Sequence, residues 1–217
     1  MTSLSPPLLD AGILPVVELL ALCLDGQLFQ VGDAFAPIDA PDGPELRAHA
    51  FSRSAPSWAV ADRGSAAWIH GTRSSPPPVP QVCVPPHRRG SALSPALDAR
   101  HRSVPSDEQL ALARVRVTTP LRTAVDLLSE ARPFGDAQAL EVRHLLALAD
   151  VTPSELDHRL RTGRRKGCVL ARSRLPAVAR AALQAPAWRA ESAQPSEPDQ
   201  PSESDQPPES GQPPLTR

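Results

Sequence analysis

The stretch Val115-Arg-Val-Thr-Thr-Pro-Leu-Arg-Thr-Ala-Val-Asp-Leu-Leu128 joins a strand pattern directly to a helix pattern. Val115 and Val117 alternate with polar residues, which is the period of a strand with one buried face. Thr119 is suited to cap a helix with its hydroxyl, and Pro120 suits the first helical position, where an N–H would have no intrahelical partner. The stretch therefore predicts a sheet locked to a helix.

Behind the proline, apolar residues recur at the spacing of a helix. Leu121, Val125 and Leu128 fall on one stripe. Arg122 and Asp126 are four positions apart on a flank of the same helix, so we expect them to form an ion pair.

Towards the amino terminus, the sequence predicts a helix over Leu14–Leu24 and then a hairpin of Leu28–Val31 with Ala34–Ile38. A helix followed by a hairpin is the outline of a winged helix. A winged helix that reads DNA usually carries Arg or Lys on the helix that enters the major groove, whereas this one carries Glu18 and Asp25. The sequence leaves two alternatives open. This segment reads DNA, or its wing only packs against the rest of the domain.

The pattern predicts an α+β fold in four parts. Residues 1–71 form a winged-helix-like part, residues 72–80 a Ser/Pro-rich connector, and residues 81–190 a small sheet with carboxy-terminal helices. Residues 191–217 form an acidic tail that repeats Gln-Pro every six residues, and we expect it to be disordered. The tail either competes for a basic patch or has no role. The strands expected in the sheet are Gln81–Val84, Leu93–Arg102 and Leu110–Thr118, and the helices Asp136–Ala149, Pro153–Thr162 and Cys168–Leu183.

The composition indicates an intracellular protein. The three cysteines lie far apart and form no Cys-x-x-Cys pair, which is typical of buried thiols in a reducing compartment. Acidic residues interrupt the apolar run of residues 8–24, so the sequence predicts neither a signal peptide nor a membrane span. We expect a cytoplasmic protein that does not associate with membranes.

Charge is distributed unevenly along the chain. Residues 1–46 contain seven acidic residues and no Lys or Arg, whereas residues 158–190 contain nine Lys or Arg and no acidic residue. An anionic partner should therefore bind the later part of the protein.

The strongest candidate for such a contact is the basic stretch Arg159–Arg174, in which Gly163 and Gly167 bracket three consecutive cations. Contact with DNA phosphates and a solvated basic turn are both compatible with this pattern. The loop Pro86–Gly90 presents two further adjacent arginines, with the same two explanations. The predicted DNA-binding residues are Arg159, Arg161, Arg164, Arg165, Lys166, Arg172, Arg174, Arg88 and Arg89.

The sequence predicts no enzyme, and no catalytic residue, metal site or cofactor is assigned. His70 precedes a helix-ending glycine without a partner nearby in sequence, so a capping or packing role is favoured over that of a catalytic base. Glu141 and His144 have the spacing of a carboxylate-bridged metal motif, but such sites need that motif twice. We therefore interpret them as a surface pair. Phosphate-binding and hydrolase motifs are missing.

The junction has the form V-T-S/T-P-x-R-T-x-x-D-L and resembles actinobacterial relatives of the AbiEi-type antitoxins of abortive-infection systems. Arg63–Gly71 and Leu8–Pro37 are similar to two further segments of that family, and the resemblance covers about Leu8–Ser192. It implies an antitoxin that represses its own operon by binding DNA and counters a nucleotidyltransferase toxin, through shared targets rather than a direct complex.

The same scaffold also occurs in front of Vsr-like endonuclease domains. Here Ala190-Glu-Ser192 leads directly into the Gln-Pro repeat, and the basic interval before it contains no carboxylate to hold a catalytic metal. The alternative function is thus an orphan, non-catalytic scaffold or protein-interaction module, derived from a member that lost its nuclease domain.

Overall fold

The computed structural model describes residues 8–86, 96–163 and 166–181, and it has an α+β fold. The carboxy-terminal tail, for which disorder was predicted, lies outside these residues. In the described residues the helices are α1 Val16–Leu24, α2 Pro44–Phe51, α3 Arg63–Ile69, α4 Pro120–Leu128, α5 Asp136–Leu148, α6 Pro153–Thr162 and α7 Cys168–Arg180. The strands are β1 Leu28–Val31, β2 Ala34–Pro37, β3 Val60–Ala61, β4 Gln81–Val84, β5 Asp98–His101, β6 Gln109–Leu112 and β7 Val115–Thr118.

Five of the strands form a mixed sheet in the order β5-β4-β3-β7-β6. Its central strand is β3, which pairs antiparallel with β4 and parallel with β7. No strand is predicted here from the sequence, because two residues are too few to show an alternating pattern. Because β3 immediately precedes α3, helix α3 begins at the middle of the sheet.

The segment predicted as one strand, Leu110–Thr118, is instead the hairpin of β6 and β7, so that prediction was wrong. Ala113 takes a positive φ of 49° at the turn, a conformation that a sequence usually marks with glycine. The turn has no glycine to mark it, and the apolar residues of Leu110–Leu112 lead without interruption towards the alternating residues of β7, so the sequence did not show it. The edge strand β6 covers one side of β7, and β3 covers the other.

The predicted amino-terminal helix and hairpin are confirmed. Strand β1 pairs antiparallel with β2, and Gly32 turns between them at a φ of +62°. Leu19, Leu28 and Phe35 form a small apolar cluster between α1 and the hairpin. None of the helices in the described ranges, α1 included, is long and apolar enough to cross a membrane.

Two larger cores meet at α3. Trp68 and Ile69 belong to the core that α2 and the inner face of the sheet share. Ala67, one position earlier, belongs to the core among α4, α5, α6 and α7, where Leu128 and Leu145 are fully buried. Helix α3 thus connects the sheet to the helical part of the protein.

Candidate functional site

The strand-to-helix junction is built as the sequence predicts. The Thr119 hydroxyl accepts a hydrogen bond from the backbone N–H of Arg122 (3.3 Å), and Pro120 is the first residue of α4. The hydroxyls of Thr118 and Thr123 are 2.7 Å apart inside the protein. These contacts fix the direction in which α4 leaves the sheet, and they turn its polar flank towards β4 and β5.

That flank begins a chain of buried ion pairs. Arg122 Nε donates to both carboxylate oxygens of Asp126 (3.0 and 3.1 Å), as the spacing predicts, and its Nη1 contacts Glu108. Arg102 Nη2 contacts Asp126 and also lies 3.4 Å from Asp62 Oδ2. Arg122 and Asp126 are 7% and 4% exposed, so the sequence signal located the pair but not its burial. Asp62 is fully buried as well.

A second group of ion pairs surrounds Arg63, which is fully buried at the start of α3. Its Nε donates to Asp62 Oδ1 (3.0 Å), and its Nη1 donates to Asp98 Oδ2 (2.6 Å). Glu130 lies 3.6 Å from Arg63 and accepts a hydrogen bond from Arg100 (2.6 Å). Because both groups share Asp62, they form one network between α3, the sheet edge and α4.

The network is electrically balanced, which limits what it can do chemically. Each carboxylate lies within ion-pair distance of at least one guanidinium, so it is a poor general base and a poor metal ligand. In the described part of the chain, no three His, Cys, Asp or Glu side chains group as a metal site would need. Among the residues that the structure describes, five acids and five arginines participate: Asp62, Asp98, Glu108, Asp126 and Glu130 with Arg63, Arg100, Arg102, Arg122 and Arg132.

At the centre of the charge network, burial is the largest influence on the pKa values. It raises the pKa of Asp62 above its usual range, against the attraction of Arg63. It also raises the pKa of the Cys83 thiol to about 12, with Asp62 adding to the effect. Cys83 Sγ donates to Asp62 Oδ2 (2.9 Å) and accepts from Arg102 Nε (3.0 Å). The thiol is therefore neutral at pH 7 and is a structural donor rather than a nucleophile.

His70 and Glu141 are both in structural contacts. His70 Nε2 lies 2.7 Å from the Thr118 carbonyl oxygen, to which it can donate, and burial lowers the pKa of the imidazole. This agrees with the packing role favoured from the sequence. Glu141 is 8% exposed and accepts two hydrogen bonds of 2.9 Å from Arg73. The interpretation of Glu141 and His144 as a surface pair was wrong, because residue spacing did not reveal Arg73.

Within the described residues, three of the predicted DNA-binding arginines donate hydrogen bonds to other groups of the protein. Arg161 and Arg172 both donate to the Asp157 carboxylate, each at 2.8 Å. Arg174 donates to the carbonyls of Leu128, the last residue of α4, and of Glu130 just after it, at 2.8 and 2.7 Å. A cation suits this place because the carboxy-terminal end of a helix is partially negative.

The turn between α6 and α7 presents cations to solvent. Arg159 and Lys166 are exposed on either side of it, and Arg159 borders a cleft of about 340 Å³ between α4 and α6. Gly167 takes a φ of +91°, and a Cβ there would lie 2.8 Å from Ser129 Cβ, so the turn packs closely against the end of α4. Arg164, Arg165, Arg88 and Arg89 lie outside the described residues. DNA binding by the nine residues stays a prediction.

Residues 59–177 match the family model of the AbiEi antitoxin C-terminal domain. The match begins at β3 and continues into α7, so it contains both halves of the charge network and more than half of the 217 residues. The chain belongs to this antitoxin family, and the resemblance noted at the junction is confirmed. No curated protein matches the chain.

Proposed function

We propose that the protein is the antitoxin of a toxin–antitoxin pair and that it represses its own operon by binding DNA through the α6–α7 turn. The membership in the AbiEi antitoxin family is the observation that carries this proposal. The exposed cations Arg159 and Lys166 support the location, since sequence-independent affinity for DNA comes mainly from Lys and Arg near phosphates.

The charges of the two helical regions favour the late turn over the winged-helix-like segment. Helix α1 carries Glu18 and no cation, and the acidic Asp25 follows at its end. Phosphates would be repelled there. The interval of residues 158–190 has no acidic residue, although Asp157 just before it neutralises part of the charge.

A titration with DNA from upstream of the gene tests the location. We expect the double variant Arg159→Ala with Lys166→Ala to bind a labelled duplex on the order of tenfold more weakly, and the slope of log K against log salt to fall by about 2. Arg114→Ala, in the exposed turn between β6 and β7, is the matched loss of a cation and should bind like wild type. Equal binding by the wild type and the double variant would overturn the location.

The proposal includes a toxin that is a nucleotidyltransferase, countered through a shared cellular target rather than a direct complex. In this role the protein is not an enzyme, in keeping with the arginine-bound state of the network's carboxylates. Expression of the toxin from the neighbouring gene should arrest growth, and co-expression of this protein should restore it. The mixed proteins should elute separately in size-exclusion chromatography; co-elution would overturn the indirect mode.

A second candidate is a non-catalytic interaction module without a toxin. The exposed apolar residues of α1, such as Val17 and Leu24, favour it because they provide a surface for protein contact. The two candidates differ in the neighbouring reading frame. A nucleotidyltransferase whose toxicity this protein suppresses supports the antitoxin, and failure to suppress it supports the module.

A further inference from the structure

Helix α1 presents a continuous apolar stripe to solvent. Val17 is 78% exposed and Leu24 90% exposed, although both are aliphatic. The exposed positions follow the spacing i, i+1, i+4 and i+8 from Val16, which places them on one face of α1. The stripe consists of Val16, Val17, Leu20 and Leu24, and the exposed Ile13 lies in the turn that precedes the helix.

The stripe is separate from the face by which α1 packs on its own protein. Leu19 is fully buried against Leu28 and Phe35, and it lies on the opposite side of the helix from Val17 and Leu24. Ile38, 60% exposed, lies near the carboxy-terminal end of the stripe, where its N–H donates to the Gln27 carbonyl (3.0 Å). Single exposed aliphatic residues are common on protein surfaces, but a contiguous patch marks an interaction site.

Charge excludes several kinds of partner. The stripe itself contains no charged residue, and the nearest charges on the helix are Glu18 and Asp25, seven positions apart on one flank. No Lys or Arg occurs in residues 1–46. DNA, RNA and membranes of anionic lipid all carry negative charge and would be repelled. The stripe therefore suits an apolar protein surface that requires no opposite charge.

We infer that the α1 stripe binds the same stripe of a second copy, so that the protein forms a two-fold dimer. The stripe is complementary to itself, as an isologous interface requires, because it is uncharged and apolar along its whole length. The patch amounts to on the order of 500 Å² per copy. Two patches together approach the lower limit of about 1,000 Å² for specific interfaces, so the dimer is weak and reversible.

The rim of this interface gives the dimer a characteristic response to salt. Each copy brings its own Glu18 and Asp25, and these like charges oppose association at low ionic strength. Salt screens them and leaves the apolar contact intact. The dimer thus tightens as salt rises, whereas a phosphate contact weakens. The two kinds of binding can be distinguished by this opposite response.

Sedimentation equilibrium of the full chain tests the inference without DNA. The average mass of the wild type should rise with concentration from 23.1 kDa towards twice that value, and more so in 500 mM than in 50 mM NaCl. The double variant Val17→Glu with Leu24→Glu should remain monomeric. Val169→Glu on α7 is the matched control, because Val169 is 82% exposed and lies outside the stripe; it should dimerise like wild type.

The alternative outcomes are distinct. A wild type that stays monomeric at every concentration, or a double variant that still dimerises, overturns the inference. Larger, polydisperse species overturn it as well, because a two-fold contact closes at two copies. Circular dichroism of the double variant should show wild-type melting, since both substituted side chains are exposed. If the protein does not dimerise, the DNA titration remains a valid test of the proposed function. The two experiments use different residues, and the two kinds of binding respond to salt in opposite directions.

Discussion

The charge network around Asp62 and the surface of α6 and α7 use the same side chain, arginine, in opposite ways. Arg63 and Arg122 are buried and satisfied by carboxylates, whereas Arg159 and Lys166 face solvent. Arg174 lies between these extremes, half-buried with its guanidinium on backbone carbonyls. The number of cations in a segment therefore does not give the charge available to a partner, because that charge depends on what each guanidinium already contacts.

The largest effect expected from this contrast concerns Asp62. Asp62→Asn removes one of the carboxylates that face Arg63, which is 0% exposed and cannot be rehydrated without opening the fold. Asp98 still binds Arg63, but the buried pair with Asp62 is broken, so we expect the free energy of unfolding to fall by about 3 kcal/mol. Urea titration followed by circular dichroism measures it.

The matched control is Asp157→Asn on α6. Asp157 also binds two arginines, but Arg161 and Arg172 retain access to water, so the unfolding midpoint should not move measurably. If Asp157→Asn were as destabilising as Asp62→Asn, the distinction between a structural network and a solvated surface would fail.

A smaller effect is expected at Arg174, which the sequence grouped with the DNA-binding residues. Its guanidinium donates to three carbonyls near the end of α4, including that of Arg132 (2.6 Å), and lies 4.9 Å from the centre of the Phe134 ring. Arg174→Ala should lower the free energy of unfolding by about 2 kcal/mol, because it leaves those acceptors without their charged donor.

Lys166→Ala is the comparison for Arg174→Ala, since both remove one cation from the same region. Its thermal unfolding, followed by calorimetry, should match that of wild type because the Lys166 side chain is exposed. If wild type and Arg174→Ala had the same melting temperature, a structural role for Arg174 would be contradicted. Its guanidinium would then count among the cations that are available to bind phosphates.

The smallest effect expected is the pH dependence that Asp98 contributes. Burial opposes its ionisation, but hydrogen bonds from Arg63 and Gln81 outweigh burial and hold its pKa below the ordinary 3.8. A lowered folded pKa means that this stabilisation is complete above pH 3.8 and is lost as the pH falls through the folded value. Asp98→Asn should be less stable than wild type at pH 7, and the difference should shrink below pH 3.8.

Urea titrations of both proteins at pH 7 and at successive acidic values measure that difference. A gap that widened on acidification would have the wrong sign for a carboxylate stabilised in its charged form. Asp62 is expected to act in the opposite direction, because burial raises its pKa and thus favours the protonated acid.

Local patterns predicted most of the elements and part of the site. The cap at Thr119 and the pairing of Arg122 with Asp126 follow from spacing within one helix, so they were visible in sequence. Strand β3 was not visible, because two residues carry no period.

The charge network could not be predicted, since its members come from segments far apart in the chain. Arg63 and Asp98 are 35 positions apart. In the separate ion pair of Arg73 with Glu141, the two residues are 68 positions apart. A sequence without its fold shows which residues carry charge but not which charges meet. For that reason Glu141 was interpreted as a surface residue, although it is buried against Arg73.

The sequence by itself determined the family and the junction of β7 with α4, because both depend on residues that are neighbours along the chain. It also determined the separation of an acidic beginning from a basic later part. Only the tertiary structure decided which arginines are available to a partner and that the apolar residues of α1 face solvent. Burial is the physical reason, since it depends on all the segments that pack around a side chain, and no short stretch contains that information.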